Sequence, residues 1–323
     1  MINTYFSAQG RLRAECGSSE DLRSAVWLDL VEPTKDEERD IEAAIGVDVP
    51  TLEEMEEIEL SSRLYYEGST AFMTATLPSR ADTDEPLLAP VTFILTETQL
   101  VSVRYNEPRA FKTLPLRAAK APVAGEDGAS VLVVLLEFQV DRLADVLERA
   151  GRQIHDLSRQ VFQHRGAKPT KSTDFQVILE AIGRNGDLVS NIVECLASLE
   201  RMFGFLSHTM QQRKKDRELS SRIKTLSRDC RSLIEHGDSL THKVTFLLDA
   251  TLGLINIEQN AIIKIFSVAA VVFLPPTLVA SIYGMNFDVM PELEWLLGYP
   301  FALALMLISA VVPYWFFKRR GWL

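Results

Sequence analysis

The sequence is poor in residues that build catalytic and metal centres. Its 323 residues include only three cysteines, Cys16, Cys195 and Cys230, and no Cys-x-x-Cys pair. The five histidines show no His-Glu-x-x-His spacing, and no strand runs into a Gly-x-x-x-x-Gly-Lys phosphate loop. These absences argue against a disulfide framework, a zinc site and an enzyme, and we expect neither an organic cofactor nor a nucleic-acid partner. The cysteines are expected to be reduced thiols.

Charge is missing from two long stretches near the C-terminus. Residues 265–287 and 296–317 contain no Asp, Glu, Lys, Arg or His. Each is long enough to cross a bilayer, for which about 20 apolar residues suffice. We therefore predict a transmembrane domain over 261–323, with a first span at about 262–283 and a second at about 298–317.

The charges that flank these spans predict their orientation. The connecting loop, 284–297, is acidic, whereas the tail at 318–323 is basic. Basic residues favour the cytosolic side of a membrane, so we expect both termini in the cytosol and the loop outside the cell. The N-terminus also lacks the pattern of a secretory signal, and the N-terminal part is expected to stay cytosolic. A multi-pass protein of the cell (inner) membrane follows, with membrane lipid as a partner.

The part before the spans divides into two predicted regions. Residues 1–125 mix five extended runs with two acidic helical stretches, which predicts a compact α/β domain. The extended runs are AVWLDL, RLYYEG, AFMTATL, VTFIL and QLVSVRY, and the helical stretches are TKDEERDIEAAIG and TLEEMEEIEL. A turn-rich segment at 118–130 leads into a helical region over 126–260.

Long helices are predicted to lead from this cytosolic part into the membrane. One amphipathic helix follows residue 130, and a second ends near Arg213. A third begins near Glu218 and meets no strong breaker before the Pro275–Pro276 pair. Gly237 and Gly253 weaken this helix by about 1 kcal/mol each. Roughly 65 residues to Tyr283 correspond to on the order of 100 Å of helix. A helix of that length is expected to be bundled with copies of something.

One stripe of the first span is polar or small. Steps of three and four residues give Asn260, Ile263, Ser267, Ala270, Leu274, Thr277 and Ser281. Small and hydroxyl side chains favour close helix packing in bilayers, so packing is one interpretation. A pore wall is the other, because the stripe offers neutral oxygens. Proton-coupled carriers usually place carboxylates or histidines inside the membrane, and both spans have none. Two spans cannot enclose a path, so a pore needs several subunits.

Two motifs sharpen this interpretation. YGMNF at 283–287 ends the first span, and MPELEW at 290–295 precedes the second. This order of motifs, followed by a basic tail, resembles the CorA family of magnesium and cobalt transporters, which are divalent-cation channels with a GMN motif. The resemblance implies a funnel-shaped homopentamer in which the first span lines the pore. It also implies membrane-potential-driven Mg²⁺ uptake that intracellular Mg²⁺ gates, with Co²⁺ and Ni²⁺ as further substrates.

The resemblance also assigns roles to residues of this chain. The selectivity motif comprises Tyr283, Gly284, Met285 and Asn286, with the Asn286 amides forming a ring at the external mouth. Pore-lining positions are Asn260, Leu274, Thr277 and Ser281, where Leu274 belongs to a hydrophobic constriction. Asp249 is placed at the cytosolic pore mouth, and Asp288, Glu292 and Glu294 of the loop attract cations. Carboxylates that bind regulatory Mg²⁺ are expected between cytosolic domains, but the motifs do not identify them.

Two alternatives remain beside this interpretation. A zinc transporter of the same superfamily would share the architecture, although its members tend to vary the residue at Met285. A membrane-tethered sensor would use the spans only as an anchor, and would not need the polar stripe or the YGMNF motif. A membrane-anchored hydrolase would need a catalytic constellation, and the cytosolic sequence offers none.

Overall fold

The fold is described from a computed structural model of the chain. The structure describes residues 1–15, 21–81, 83, 86–122, 125, 127–163, 172–213, 217–285 and 295–321. They form two compact units, Met1–Leu248 and Asp249–Leu323. The first contains a sheet and a helical bundle, and the second contains the C-terminal helices.

The first unit is built on a seven-stranded sheet. Its strands are β1 (Ile2–Ala8), β2 (Arg11–Glu15), β3 (Trp27–Val31), β4 (Leu64–Glu67), β5 (Thr70–Ser79), β6 (Leu87–Leu95) and β7 (Leu100–Arg104). They lie in the order β2-β1-β3-β7-β6-β5-β4. Only β3 and β7 pair in parallel, with Trp27 opposite Leu100 and Leu30 opposite Val103. The parallel pair therefore lies in the interior of the sheet, where both faces can be covered.

The predicted α/β architecture is confirmed, and each of the five extended runs coincides with part or all of a strand. The sequence did not predict the hairpin of β1 and β2, or the helix α4 (Arg109–Ala118). α4 contains Pro115, which normally disfavours a helix interior. Its buried Phe111 and Leu114 show that tertiary packing outweighs the local preference here.

Both acidic stretches form capped helices on one face of the sheet. α1 (Lys35–Ile45) begins at Thr34, whose hydroxyl accepts from the Glu37 amide while the Glu37 carboxylate accepts from the Thr34 amide. α2 (Leu52–Glu56) repeats this reciprocal cap with Thr51 and Glu54. Such caps satisfy amides that the first helical turn leaves free. A short helix, α3 (Leu60–Arg63), then precedes β4.

The hydrophobic core under α1 and α2 uses alternate strand residues. Leu28 and Leu30 of β3 pack here with Ile41 of α1 and Met55 of α2. Trp27 points to the opposite face, because neighbouring strand residues project to opposite sides. There its ring stacks on Tyr5 at 4.4 Å and lies 6.0 Å from Phe111 of α4.

A buried ion pair joins the two parallel strands on that second face. Arg104 Nη2 lies 2.9 Å from Asp29 Oδ2, and Arg104 Nε donates to Asp29 Oδ1 at 3.0 Å. Ser102 Oγ also donates to Asp29 Oδ1, and it accepts from the Trp27 indole at 2.9 Å. The Arg104 guanidinium lies over the Phe111 ring. Both charges are therefore paired and hydrogen-bonded, as a buried position requires.

Three long helices complete the first unit. They are α5 (Gly128–Gln163), α6 (Ser172–Gln212) and the N-terminal half of α7 (Arg217–Tyr283). Arg222 of α7 makes a bidentate pair with Glu137 of α5, with distances of 2.7 and 2.6 Å. A Cβ built at Gly237 of α7 would lie 2.4 Å from Val193 Cγ2 of α6, so glycine permits close approach there. These contacts join α7 to α5 and α6 within one chain.

The two cysteines that the structure describes lie within this bundle. Cys195 of α6 and Cys230 of α7 are both buried and free. Burial raises the pKa of the Cys195 thiol and raises that of Cys230 to about 12. Both groups are therefore neutral thiols at physiological pH, as expected from the sequence.

Candidate functional site

The second unit contains both candidate membrane spans. α7 continues to Tyr283 without a break, and α8 covers Gly298–Arg319. Each helix is long and apolar enough to cross a membrane, and little of its most apolar stretch is buried within the chain. Gly253 and the Pro275–Pro276 pair lie inside α7 without interrupting it.

Each span protects one face within the chain. On α7 Val268 is buried, and the half-buried positions beyond it are Ala269, Val272, Pro275, Pro276, Val279 and Tyr283. On α8 Gly298 and Ala302 are buried, and the half-buried positions are Met306, Ser309, Ala310, Pro313 and Phe317. Both sets recur every three or four residues, so each occupies one side of its helix. This pattern indicates that one side of each helix is covered within the chain, and we call these sides the paired faces.

The predicted stripe lies on the opposite side of α7. All seven of its residues, from Asn260 to Ser281, are exposed, and Leu274 retains 64% of its accessible surface. At 100° per residue, the middle of the stripe lies about 170° from the middle of the paired face. Contacts on the paired face therefore do not account for the small and polar residues of the stripe. They are available to other copies of the chain or to a water-filled path.

The proline pair changes the backbone chemistry next to this stripe. Pro275 and Pro276 carry no N–H, so the carbonyls of Val271 and Val272 lose their usual helical donors. At the next residue, the Thr277 hydroxyl donates to the carbonyls of Leu274 and Phe273 at 2.8 and 3.0 Å. The hydroxyl proton is thus used by the helix, and the oxygen lone pairs remain available on the exposed side.

The predicted selectivity motif begins in the last turn of α7. The Gly284 amide donates to the Ala280 carbonyl at 2.9 Å, and the Met285 amide to the Ile282 carbonyl at 3.2 Å. Gly284 does not adopt a positive φ. Glycine is favoured at this position for a steric reason, because a Cβ there would lie 3.1 Å from the Ala280 carbonyl oxygen. Tyr283 is half-buried, whereas Met285 is 48% exposed.

Several predicted site residues lie outside the described residues. They are Asn286 of the motif and the loop carboxylates Asp288, Glu292 and Glu294. Asp249, the predicted cytosolic mouth residue, is described and exposed on α7. Among the described residues, no three His, Cys, Asp or Glu side chains converge as a metal-binding group within one chain. The regulatory metal site therefore remains unassigned.

From the sequence, the basic end of α8 predicts only the orientation of the spans. The structure adds that each basic residue there lies over an aromatic ring one turn earlier. The pairs are Lys318–Tyr314 at 5.9 Å, Arg319–Trp315 at 5.3 Å and Arg320–Phe316 at 5.2 Å from the ring centres. The spacing of YWFFKRR in the sequence was the signal, because residues four apart share a helix face.

The chain was compared with known proteins. The family model described as CorA-like Mg²⁺ transporter protein matches residues 23–319. The magnesium transport protein CorA of Pasteurella multocida (strain Pm70) is 36% identical over 324 residues, and 100% of both chains is covered. The protein of that name from Escherichia coli (strain K12) is 36% identical over 325 residues, again with 100% of both chains covered.

A solved structure has the same fold. The CorA magnesium transporter from Methanocaldococcus jannaschii superimposes with a TM-score of 0.76. The alignment covers 100% of this chain and 99% of that chain, at 20% sequence identity. At this identity the likeness supports the fold, whereas the family model and the full-length relatives support membership. The polar stripe, the GMN motif and the full-length identity lead to one conclusion: the chain belongs to the CorA-like Mg²⁺ transporter protein family.

Proposed function

We propose that this chain conducts Mg²⁺ across the cell membrane, driven by the membrane potential. The observation that carries the proposal is the stripe of α7, which is polar or small, exposed, and directed away from the paired face. Relatives of the chain are named magnesium transport proteins. An inside-negative potential contributes about 4.6 kcal/mol per 100 mV for a divalent ion, so uptake needs no chemical reaction.

The proposal requires an oligomer. One chain presents one conducting stripe, and two spans cannot enclose a path. Closed cyclic symmetry would bring copies of the stripe around one axis. We propose a funnel-shaped homopentamer, with α7 innermost and α8 outside it. The opposition of the stripe to the paired face supports this order of helices.

Selection is proposed to occur at the end of α7. Mg²⁺ holds its water molecules tightly and demands near-octahedral oxygen geometry. A ring of Asn286 amides can accept hydrogen bonds from that water shell without removing it, and releases the ion more readily than carboxylates would. Tyr283, Gly284 and Met285 position the ring. Asp288, Glu292 and Glu294 raise the local cation concentration outside it.

The rest of the path is proposed to follow the stripe inward. Thr277 and Ser281 offer hydroxyl oxygens, and Asn260 offers an amide. Leu274 lies between them, where several copies would form an apolar constriction that gates by excluding water. Asp249 would place a ring of carboxylates at the cytosolic mouth.

Several finer features belong to the same proposal. Co²⁺ and Ni²⁺ form hexahydrated ions similar to that of Mg²⁺ and are expected to permeate, and intracellular Mg²⁺ is expected to close the pore. The chain is placed in the inner membrane with both termini cytosolic. We propose a cytosolic domain at 1–125, a helical region at 126–260 and a membrane domain at 261–323. No organic cofactor is required.

The test is ion flux into liposomes that contain the purified protein. A Mg²⁺-sensitive dye inside and an imposed inside-negative potential report uptake by wild type, Asn286→Ala and Gln211→Ala. Gln211 carries an exposed side-chain amide near the end of α6, in the first unit, and provides the matched control. We expect Asn286→Ala to lose most of the flux and Gln211→Ala to retain it.

Other outcomes would favour the alternatives. Equal Mg²⁺ flux in wild type and Asn286→Ala would remove the amide ring from the mechanism. Absence of Mg²⁺ flux in wild type, with Zn²⁺ movement that follows a pH gradient, would assign the chain to zinc transport. Absence of flux for all ions would leave the membrane-tethered sensor.

A further inference from the structure

The end of α8, residues 314–320, combines basic residues with aromatic rings, a feature that the orientation of the span does not by itself require. Three consecutive cations each lie within 6 Å of the centre of an aromatic ring. The rings are themselves exposed: Tyr314 by 46%, Trp315 by 60% and Phe316 by 50%. A cation held over an aromatic face gains attraction from the ring while its N–H groups stay free for an anion.

No carboxylate neutralises these cations within the described residues. Lys318, Arg319 and Arg320 are all exposed, and none forms a salt bridge there. Three unpaired positive charges at the end of an apolar helix call for an anionic partner. On the cytosolic side of a membrane, the abundant fixed anions at that depth are lipid phosphates.

The three pairs do not face the same way. At 100° per residue, Trp315 and Arg319 lie about 160° and 120° from the middle of the paired face of α8. Lys318 lies about 140° from it, on the same exposed side. Arg320, by contrast, lies about 20° from the middle of the paired face. Trp315, Lys318 and Arg319 therefore form one outward surface, which we call the outward cluster.

We propose that the outward cluster binds the headgroup phosphate of an anionic phospholipid in the cytosolic leaflet. The Arg319 guanidinium can donate two parallel hydrogen bonds to one phosphate, and the Lys318 ammonium adds a point charge beside it. Trp315 lies one turn deeper, at the level where indole rings prefer the boundary between headgroups and acyl chains. The inference rests on the membrane arrangement proposed above.

Fluorescence quenching of Trp315 tests the proposal in the full chain. In a Trp295→Phe/Trp322→Phe background, Trp315 is the quenchable tryptophan, because Trp27 is fully buried in the sheet. The protein is reconstituted in phosphatidylcholine liposomes that contain a minor fraction of brominated phosphatidylglycerol or brominated phosphatidylcholine. The ratio of the two quenching efficiencies measures the preference for the anionic lipid. Arg319→Gln is compared with the matched variant Arg320→Gln.

We expect the anionic lipid to quench Trp315 more strongly in the parent. Arg319→Gln should lower the preference about fivefold, and Arg320→Gln about twofold or less, because Arg320 lies on the side of the paired face and outside the outward cluster. Equal quenching by both lipids in the parent would overturn the proposal. An equal loss in the two variants would also overturn it, since the tail's total charge would then be responsible.

Two further controls separate the causes of a negative result. Inorganic phosphate added at constant ionic strength should leave the preference for the anionic lipid unchanged. If phosphate abolished this preference, the outward cluster would be assigned to soluble anions instead. Quenching by neither lipid would contradict the membrane arrangement itself, and would overturn the proposed function together with this inference.

Discussion

The two units of the chain satisfy their apolar residues in different ways. In Met1–Leu248, the largest side chains, such as Trp27, Phe72, Phe93 and Phe203, are fully buried. In Asp249–Leu323, Phe266 is 71% exposed and Phe273 69% exposed. Soluble monomers rarely leave such continuous apolar surfaces uncovered. The first unit thus contains its own core, whereas the second leaves most of its large apolar side chains exposed.

Polar groups differ between the units in the opposite sense. The first unit buries an ion pair, Asp29–Arg104, and supplies partners for it from the same chain. The second exposes the neutral polar groups of its stripe and the cations of its tail. The polar groups named in the first unit are therefore paired within the fold, whereas those named in the second are exposed. Four comparisons of variants test this division.

The largest effect is expected at the buried ion pair. Arg104→Met would leave the Asp29 carboxylate buried without its cation, at a cost of about 3–5 kcal/mol in the free energy of unfolding. Hydrogen exchange at the amides of β3 and β7 would measure it. Arg152→Met, which breaks an exposed pair with Glu148, is the control and should change stability by under about 1 kcal/mol. Similar losses of unfolding free energy in both variants would show that the buried pair contributes no more to stability than the exposed pair.

The same region should also weaken in alkali. Burial and the nearby Asp29 carboxylate raise the pKa of Tyr5 from 10.0 to about 12, against a smaller opposing effect of Arg104. The folded state thus holds the phenol proton more tightly than the unfolded state. This contribution is complete below pH 10 and is lost between pH 10 and 12.

Tyr5→Phe isolates that contribution. Relative to this variant, wild type should lose about 2 kcal/mol of unfolding free energy by about pH 11.5. Urea denaturation between pH 9 and that value, followed by near-ultraviolet circular dichroism, would measure the difference. Parallel pH profiles of the two proteins would show that the Tyr5 hydroxyl is hydrated in the folded state.

In the second unit, polarity should matter on one side only. Leu274 and Leu307 are 64% and 67% exposed, but only Leu274 lies on the stripe. Leu274→Asn should wet the proposed constriction and raise Mg²⁺ flux about tenfold at high internal Mg²⁺, equivalent to about 1.4 kcal/mol. Leu307→Asn should leave the flux near that of wild type. The liposome assay would distinguish them, and a reversed order would move the pore to α8.

The smallest effects should differ in sign between two glycines of α7. A Cβ at Gly237 would meet Val193, whereas a Cβ at Gly253 would meet nothing within 4 Å. Gly237→Ala should therefore cost about 1–2 kcal/mol through overpacking. Gly253→Ala should stabilise the helix by about 1 kcal/mol, because alanine has the higher helix propensity. Thermal unfolding in detergent would measure both, and a loss at Gly253 would reveal a close neighbour from another subunit.

Strong local patterns made much of this fold predictable. The five extended runs mark the positions of β3 to β7, because they are rich in β-branched and aromatic residues. α1 and α2 begin at the Thr residues of two Thr-x-x-Glu sequences, a signal that needs no tertiary contact. The start of α7 was placed within one residue, at Arg217 instead of Glu218.

Elements that depend on distant partners were missed. The β1–β2 hairpin is stabilised by pairing of β1 with β3, more than twenty residues further along the chain. α4 contains a proline, and it is a helix because Phe111 and Leu114 are buried. Gly237 looked like a weak point of α7, and only its distance from Val193 gives it a packing role.

The sequence by itself determined the two uncharged spans, the GMN motif and the order of polar positions along α7. These follow from composition and from the 3.6-residue period of one helix, which are local properties. Only the tertiary structure decided that the stripe lies opposite the paired face, and that Arg319 faces outward while Arg320 does not. These directions depend on which side of each helix packs, and packing is a property of two elements together.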